Sequence, residues 1–272
     1  ETDARAILWT SGTGGRPRGV VLTLENICAS ADAVIDRLSL GTKDVWLLSL
    51  SPAHVGGMAL MTRAFLLGCT LFAYGPFRAD LASQLIDGEG LPESASPVTH
   101  MSLVPTQLLH LLKHRGEMRV PTWFRCGLIG GAHAPPDLIK QGLAGGWPLA
   151  LTYGMTEMTS QVATAVPSEV NRKPGSVGRA LMGTEIKIDS EGQILVKGPT
   201  LAPGYIGSAE PLADGEGWYR TGDLGHFDDD GDLWVTGRRS DRIVSGGITI
   251  DANRIEDVLC EHEGVQDACV VG

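Results

Sequence analysis

Long apolar runs are missing from this chain of 272 residues, and so is a basic start followed by an apolar stretch. The first absence argues against a membrane-spanning helix, and the second against a secretory leader in the residues given. Basic residues are outnumbered, 22 against 32 acidic, for a net charge of −10. That balance argues against a general surface for nucleic acid or anionic membrane. The five cysteines (Cys28, Cys69, Cys126, Cys260, Cys269) are scattered, odd in number and never spaced Cys-x-x-Cys. They predict reduced, mostly buried thiols in a cytoplasmic protein rather than a disulfide framework. No internal repeat or low-complexity tract is present. A composition 43% hydrophobic and 20% charged suits one large or two modest soluble domains. Both ends read as cut, because apolar strand-like runs lie almost at each terminus.

What is present begins at residues 9 to 23, WTSGTGGRPRGVVLT. The runs Ala6–Trp9 and Val20–Leu22 read as buried strands. Thr10 to Gly19 between them reads as neither helix nor strand. Glycines let the backbone turn and approach a ligand, Thr10, Ser11 and Thr13 add hydroxyls, and Arg16 and Arg18 add fixed charge. Backbone N–H groups, hydroxyls and cations together suit a polyphosphate. A Walker A loop is excluded, because Val20 follows Gly19 where lysine is needed. A Rossmann fingerprint is excluded, because Pro17 stands where Gly12-Thr13-Gly14 would require the last glycine. The plain alternative is a mobile surface hairpin.

From residue 5 to about 155, strand-like runs alternate with helical stretches. Thr23 is placed to cap a helix running to about Leu38. Strands are expected at Val45–Leu50, Leu71–Tyr74, Met101–Val104, Gly127–Ile129 and, last, Leu149–Tyr153. Helices are expected over Met58–Leu67, from Pro105 and from Pro135-Pro136. This βαβα rhythm predicts an α/β fold with a mostly parallel sheet flanked by helices. Ligands gather at the C-terminal ends of such strands, where Thr10, His54, Gly130-Gly131 and Tyr153-Gly154 are expected. Beyond about residue 172, short strands and turns (Asp189–Gly192, Asp214–Gly217, Asp228–Gly231) predict an antiparallel, barrel-like β subdomain. From Arg242 a strand, a Gly246-Gly247 turn and a helix over Ala252–Leu259 predict the start of a small C-terminal α+β domain. The expected units are 1–172, 173–240 and 241–272. Ile255, Val258 and Leu259 on the last helix read as core.

Four further stretches carry chemistry. TYGMTE, 152 to 157, supplies an aromatic, a hydroxyl and a carboxylate: Tyr153 can stack on a base, Thr156 can donate to a phosphate, and Glu157 can hold Mg²⁺. In YRTGDLG, 219 to 225, Asp223 can accept from both hydroxyls of a ribose. GRRSDRIVSGGITI spans 237 to 250, and LIGGAHAP spans 128 to 135.

In this order the motifs resemble those of the adenylate-forming superfamily, which includes acyl- and aryl-CoA synthetases, luciferases and peptide-synthetase adenylation domains. The resemblance runs over nearly the whole chain. It implies a two-step reaction: a carboxylate attacks the α-phosphate of ATP, giving an acyl-adenylate and pyrophosphate, and a thiol then displaces AMP. The resemblance implies that Thr10, Ser11, Gly12, Thr13, Gly14 and Gly15 hold the β- and γ-phosphates, with Arg16 and Arg18 nearby. It places Gly130, Gly131 and Ala132 along the adenine and acyl pocket, and Tyr153, Gly154 and Met155 at the nucleotide. Thr156 then meets the α-phosphate, Glu157 the Mg²⁺, and Asp223 the ribose with help from Arg238, while Asp241 is the hinge of the C-terminal domain. The implied cofactors are ATP, Mg²⁺ and CoA as thiol acceptor. The implied partners are a small carboxylic acid and CoA, with self-association left open.

Two departures stand out. Arginines occupy positions 16 and 18, where the family usually has lysine, and Arg differs in shape and hydration. The family's catalytic lysine and N-terminal subdomain have no counterpart in this sequence. His54 reads equally as a wall of the acyl pocket or as a hydrogen-bonded loop histidine. SPAHVGGMAL, LIGGAHAP and GRRSDRIVSGGITI look most like the o-succinylbenzoate–CoA ligases of menaquinone synthesis, although Ile248-Thr249 stand where that group usually has Glu-Asn. Other aryl- or medium-chain acyl-CoA ligases, a carrier-protein adenylation domain and a non-catalytic nucleotide-binding module are the alternatives. His110 and His114, spaced i, i+4, read as a solvated face, Met155 and Met158 as packing, and Asp228–Gly231 as a hairpin turn rather than a calcium loop.

Overall fold

A computed structural model describes residues 3–10, 17–245, 248–260, 262, 264–265 and 268–271. The chain opens with β1 (Ala4–Thr10) and β2 (Arg18–Thr23), which pair antiparallel with Trp9 opposite Gly19 and Thr10 opposite Arg18. They therefore stand outside the parallel sheet. The link between them is too short for a parallel crossover, which needs a dozen residues or more. Thr10, Arg18 and Gly19 lie in strands, which narrows the irregular segment expected over 10 to 19.

Helix α1 (Leu24–Arg37) starts where Thr23 predicts, with a reciprocal cap. Thr23 Oγ1 accepts from Asn26 N at 3.1 Å, and Asn26 Oδ1 accepts from Thr23 N at 3.0 Å. The α/β part follows as β3 (Val45–Leu48), α2 (Val55–Leu67), β4 (Thr70–Ala73) and α3 (Ala79–Ile86). It continues as β5 (His100–Leu103), α4 (Pro105–Arg115), β6 (Cys126–Ile129), α5 (Pro136–Ala144) and β7 (Leu149–Met155). Helix α3 has no counterpart in the sequence reading. The glycine pair Gly56-Gly57, expected before the second helix, lies inside α2.

The main sheet has the order β4-β3-β5-β6-β7, all parallel. It does not end at Tyr153. After β7 the chain reverses into β8 (Ser160–Ala165), passes α6 (Pro167–Arg172) and adds β9 (Arg179–Ala180), both strands antiparallel. Leu85 and Ile86 of α3, Leu108 and Leu111 of α4, and Leu138 and Ile139 of α5 pack on one face. Leu60 of α2 and Leu40 pack with Trp46, Cys126 and Leu128 on the other. Alternating layers of this kind bury a parallel sheet on both sides.

The antiparallel part is β10 (Glu185–Ile188), β11 (Gln193–Lys197), β12 (Gly204–Tyr205), β13 (Tyr219–Phe227) and β14 (Leu233–Arg238). Strands β10, β11, β13 and β14 form one half-barrel sheet, whereas β12 leaves it to pair with β2. The turn Asp228–Gly231 joins β13 and β14. Its acidic residues close on Lys173 Nζ, with Asp228, Asp230 and Asp232 at 2.7, 2.6 and 2.8 Å. An ammonium therefore occupies the centre of the cluster. β15 (Arg242–Ser245), β16 (Ile248–Asp251) and α7 (Ala252–Cys260) follow, with Gly246-Gly247 outside the described residues.

The last helix corrects one expectation. Ile255, Val258 and Leu259 are exposed, not core. A two-stranded hairpin is too small a surface to cover an apolar helical stripe. Of the four cysteines whose environment is described, only Cys126 is buried and Cys269 is exposed, and all four are free thiols. His110 and His114 are exposed, and Met158 is fully buried.

One buried group makes stability depend on pH. The His100 ring, 2% exposed, stacks on Trp46 with centroids 4.8 Å apart, and Arg63 lies 5.0 Å over the same indole. Burial, reinforced by Arg125 and Arg63 and opposed by Asp44, pushes His100 down to about 4 from 6.5. The unfolded chain therefore binds this proton more readily than the folded one below about pH 6.5. Stability is fully present above that pH and falls as pH drops toward 4, by up to ~3 kcal/mol from this group. Denaturant titrations across pH 4 to 7 should show that slope in the wild type and its loss in His100→Phe.

Candidate nucleotide site

Two carboxylates anchor the site. Asp223 sits on β13 directly opposite Arg238 on β14. Its Oδ1 accepts from Arg238 Nε at 3.0 Å, and its Oδ2 accepts from the Tyr153 hydroxyl at 2.7 Å. Its own N–H donates to Thr221 Oγ1 at 3.0 Å. Burial pushes the Asp223 carboxyl above its ordinary range, partly offset by Tyr153 and Arg238. Burial, with the Asp223 charge, pushes the Tyr153 hydroxyl upward too. Tyr153, read as able to stack on a base, is buried and ties the parallel sheet to the half-barrel through this bond. Each Asp223 oxygen keeps a second lone pair for an outside donor.

Glu157 lies in a single 3-10 turn, Thr156–Met158, between β7 and β8. Its Oε1 accepts from the Tyr205 hydroxyl at 2.8 Å, and no hydrogen bond reaches Oε2 among the described residues. Arg18 lies 3.5 Å over the Tyr205 ring, and Tyr219 is near enough to act on the Tyr205 hydroxyl. The Glu157 charge is felt at both Tyr219 and Asp223, so the two carboxylates belong to one electrostatic neighbourhood.

The turn carrying Thr156 and Glu157 is held from two sides. Buried Ser30 on α1 donates to Thr159 O at 2.7 Å, and Thr159 Oγ1 donates to Thr200 O at 2.8 Å. Ala202 N donates to Glu157 O at 2.8 Å. Asn26, the reciprocal partner of Thr23 in the α1 cap, donates its amide to Pro199 O and Leu201 O. A local cap thereby also fixes the segment that leads to β12.

Tyr153, the last residue of the expected strand, lies inside β7, and Gly154 and Met155 extend that strand rather than follow it. The register shifts between Tyr153 and Gly154, opening the bulge from which the turn departs. Gly130, Gly131 and Ala132 follow β6 directly, with Gly131 at φ 83°, a left-handed conformation that suits glycine. Thr10 ends β1, and its Oγ1 donates to Arg18 O at 3.3 Å. Ser11, Gly12, Thr13, Gly14, Gly15 and Arg16 lie outside the described residues. His54 precedes α2, exposed and without a side-chain hydrogen bond among the described residues, so the loop-bonded alternative for it is not realised. Asp241 ends the 3-10 turn after β14 and accepts from Ser240 Oγ at 2.7 Å. Neither His54 nor Asp241 has a hydrogen bond or ion pair to the two carboxylates. Tyr205 and Tyr219 escaped the sequence reading. Tyr219 was visible as the first residue of YRTGD, whereas Tyr205, on a two-residue strand, carried no signal.

A parallel α/β sheet joined to an antiparallel half-barrel, with two carboxylates near the junction and the β1–β2 pair beside them, is the architecture of a nucleotide-binding enzyme core. The model of the family described as AMP-binding enzyme matches residues 1–206. The chain belongs to that family. It is 39% identical over 281 aligned positions to a 2-succinylbenzoate–CoA ligase of Geobacillus sp. (strain WCH70), covering 99% of this chain and 56% of the relative. It is similar, at TM-score 0.90 and 35% identity, to an o-succinylbenzoate CoA synthetase from Bacillus subtilis in complex with the acyl-adenylate OSB-AMP, covering 100% of this chain and 57% of the other. A further structure of that synthetase, in complex with ATP and magnesium ion, matches at TM-score 0.89 and 35% identity, covering 100% and 58%. The chain thus spans little more than half the length of these relatives.

Gly154 offers a test of the site's framework. A Cβ there would run into the backbone carbonyl of Ser160 and press on Gln161 Cα, neither of which is the end of a flexible side chain. Gly154→Ala should therefore lower stability by roughly 2 kcal/mol or more, seen as a shifted thermal midpoint. A wild-type melt would mean that the bulge is not formed as described.

Proposed function

We propose that this chain is the nucleotide- and acyl-binding core of an ATP-dependent carboxylic acid–CoA ligase, with o-succinylbenzoate as the acid. The single observation that carries the reading is the junction itself. There Glu157 keeps one oxygen without a partner among the described residues, and buried Asp223 is held by Tyr153 and Arg238. The similarity to a 2-succinylbenzoate–CoA ligase, and to a synthetase seen in complex with OSB-AMP, with AMP and with ATP and magnesium ion, supports the substrate assignment.

The donor set fits a magnesium nucleotide. Mg²⁺ favours one or two carboxylates completed by phosphate oxygens, and Glu157 supplies a carboxylate with an open oxygen. When bound, the ion would neutralise phosphate charge. The chain's own residues do the rest in this reading. The hairpin from Thr10 through Ser11, Gly12, Thr13, Gly14, Gly15 and Arg16 to Arg18 holds the β- and γ-phosphates, and Thr156 donates to the α-phosphate. Asp223 accepts from the ribose hydroxyls through its remaining lone pairs, oriented by Arg238. Gly130, Gly131, Ala132, Gly154 and Met155 line the base and acyl pocket, with His54 on the acyl side. Fixed donors at the phosphates matter because the first step brings a carboxylate against a polyphosphate, and like charges must be offset before the α-phosphorus can be attacked. The second step, in which the thiol of CoA displaces AMP, leaves the same ribose contacts in use.

The reading includes units at 1–172, 173–240 and 241–272, with Asp241 as the hinge, and a cytoplasmic location. No helix among the described residues is long and apolar enough to cross a membrane.

Calorimetric titration with ATP and Mg²⁺, and separately with AMP, tests the proposal. Both should bind, and Glu157→Ala should weaken the Mg²⁺-dependent part by about tenfold or more while AMP binding persists. Absence of wild-type binding at millimolar nucleotide would remove the nucleotide reading, including the non-catalytic alternative. Binding of o-succinylbenzoate in the presence of ATP and Mg²⁺, but not of benzoate or octanoate, separates this acid from the other aryl and medium-chain substrates.

A further inference from the structure

Tyr205 is one of only two residues in β12, yet it touches three parts of the site. Its backbone pairs with Val20 of β2, and the N–H of the next residue, Ile206, donates to Gly19 O at 2.8 Å. Its ring lies beneath the Arg18 guanidinium at 3.5 Å, where the glycine-rich hairpin returns into β2. Its hydroxyl donates to Glu157 Oε1 at 2.8 Å. The single Tyr205 proton is committed to that carboxylate.

These contacts form a chain with a direction. Strand pairing fixes the Tyr205 backbone, and Arg18 fixes the plane of its ring. The ring fixes the hydroxyl, and the hydroxyl selects one of the two Glu157 oxygens. Glu157 stands on a turn of three residues, and Tyr205 is its side chain's only hydrogen-bond partner among the described residues. Without that bond the carboxylate is free to rotate about its own torsions. Outer partners that orient a ligating group affect ion affinity almost as strongly as the ligand does.

We infer that Tyr205 is a positioning residue. It holds Glu157 by Oε1, leaves Oε2 for the divalent cation carried by a triphosphate, and couples the hairpin at Arg18 to that carboxylate. The inference rests on the nucleotide reading above and adds to it a residue outside every motif that the sequence displays.

The experiment is calorimetric titration with ATP at a series of Mg²⁺ concentrations, and with AMP without metal, on wild type, Tyr205→Phe, Glu157→Gln and the double variant. Tyr205→Phe removes the hydroxyl and keeps the ring under Arg18. It should raise the Mg²⁺ concentration for half-maximal ATP binding about tenfold, with AMP affinity and thermal midpoint close to wild type. In the Glu157→Gln background the same change should add little, because the group it positions is gone. An unchanged Mg²⁺ dependence in Tyr205→Phe, with wild type binding normally, overturns the inference alone. So does an effect that simply adds to that of Glu157→Gln. A Tyr205→Phe protein that melts far lower and loses AMP and ATP affinity alike makes Tyr205 structural, which also overturns it. Failure of the wild type to bind either nucleotide overturns the underlying reading and this inference with it.

Discussion

The turn from Thr156 to Thr159 is the constraint on which the rest of the site depends. It is the point where the parallel sheet reverses, and it carries Thr156 and Glu157. Its backbone and side chains are tied to α1 through Ser30 and to the 199–202 segment through Thr159 and Ala202. Ser30, Thr159 and Thr200 are all buried, so each bond that is lost leaves a polar group without water to replace its partner. A network of this kind tolerates little adjustment. Thr159 itself adopts φ 54°, a left-handed conformation rarely held by a β-branched residue. The reversal is therefore over-determined, and the position of Glu157 follows from it.

From that turn the geometry spreads in two directions. Through Tyr153 it reaches Asp223, joining the last parallel strand to the half-barrel by one buried hydroxyl–carboxylate bond. Through Tyr205 it reaches Arg18 and the base of the glycine-rich hairpin. Both links use a tyrosine hydroxyl as donor to a carboxylate. A carboxylate held by a neutral donor keeps its charge and its spare lone pairs, and so stays available to a ligand. Asp223 is also paired with Arg238, so among the two it is Glu157 that is held by a neutral donor alone.

Much of the fold was legible in local signals. The cap at Thr23, the proline opening α4 and the alternation of apolar strands with helices led to the parallel α/β sheet that is found. Errors arose where pairing partner, not propensity, decided. β1 and β2 look like any other apolar strands, but the short link between them forces a hairpin. The sequence reading ends the sheet at Tyr153, whereas the bulge at Gly154 folds β8 back beside β7 as a further strand. The stripe on α7 has the periodicity of a core helix, and periodicity does not say whether a partner surface is present.

The sequence by itself determined the class of chemistry. Four motifs with hydroxyls, glycines, arginines and two separated acids are informative because each residue type has a limited set of uses near phosphate and ribose. It also determined the family, because that order of motifs is improbable in an unrelated chain. Only the tertiary structure decided which side chains act together. Glu157 and Tyr205 are 48 residues apart, and Tyr153 and Asp223 are 70 apart, and nothing along the chain links either pair. Hydrogen bonds act over about 3 Å, so they are set by strand order and register across three sheets, which local composition does not encode.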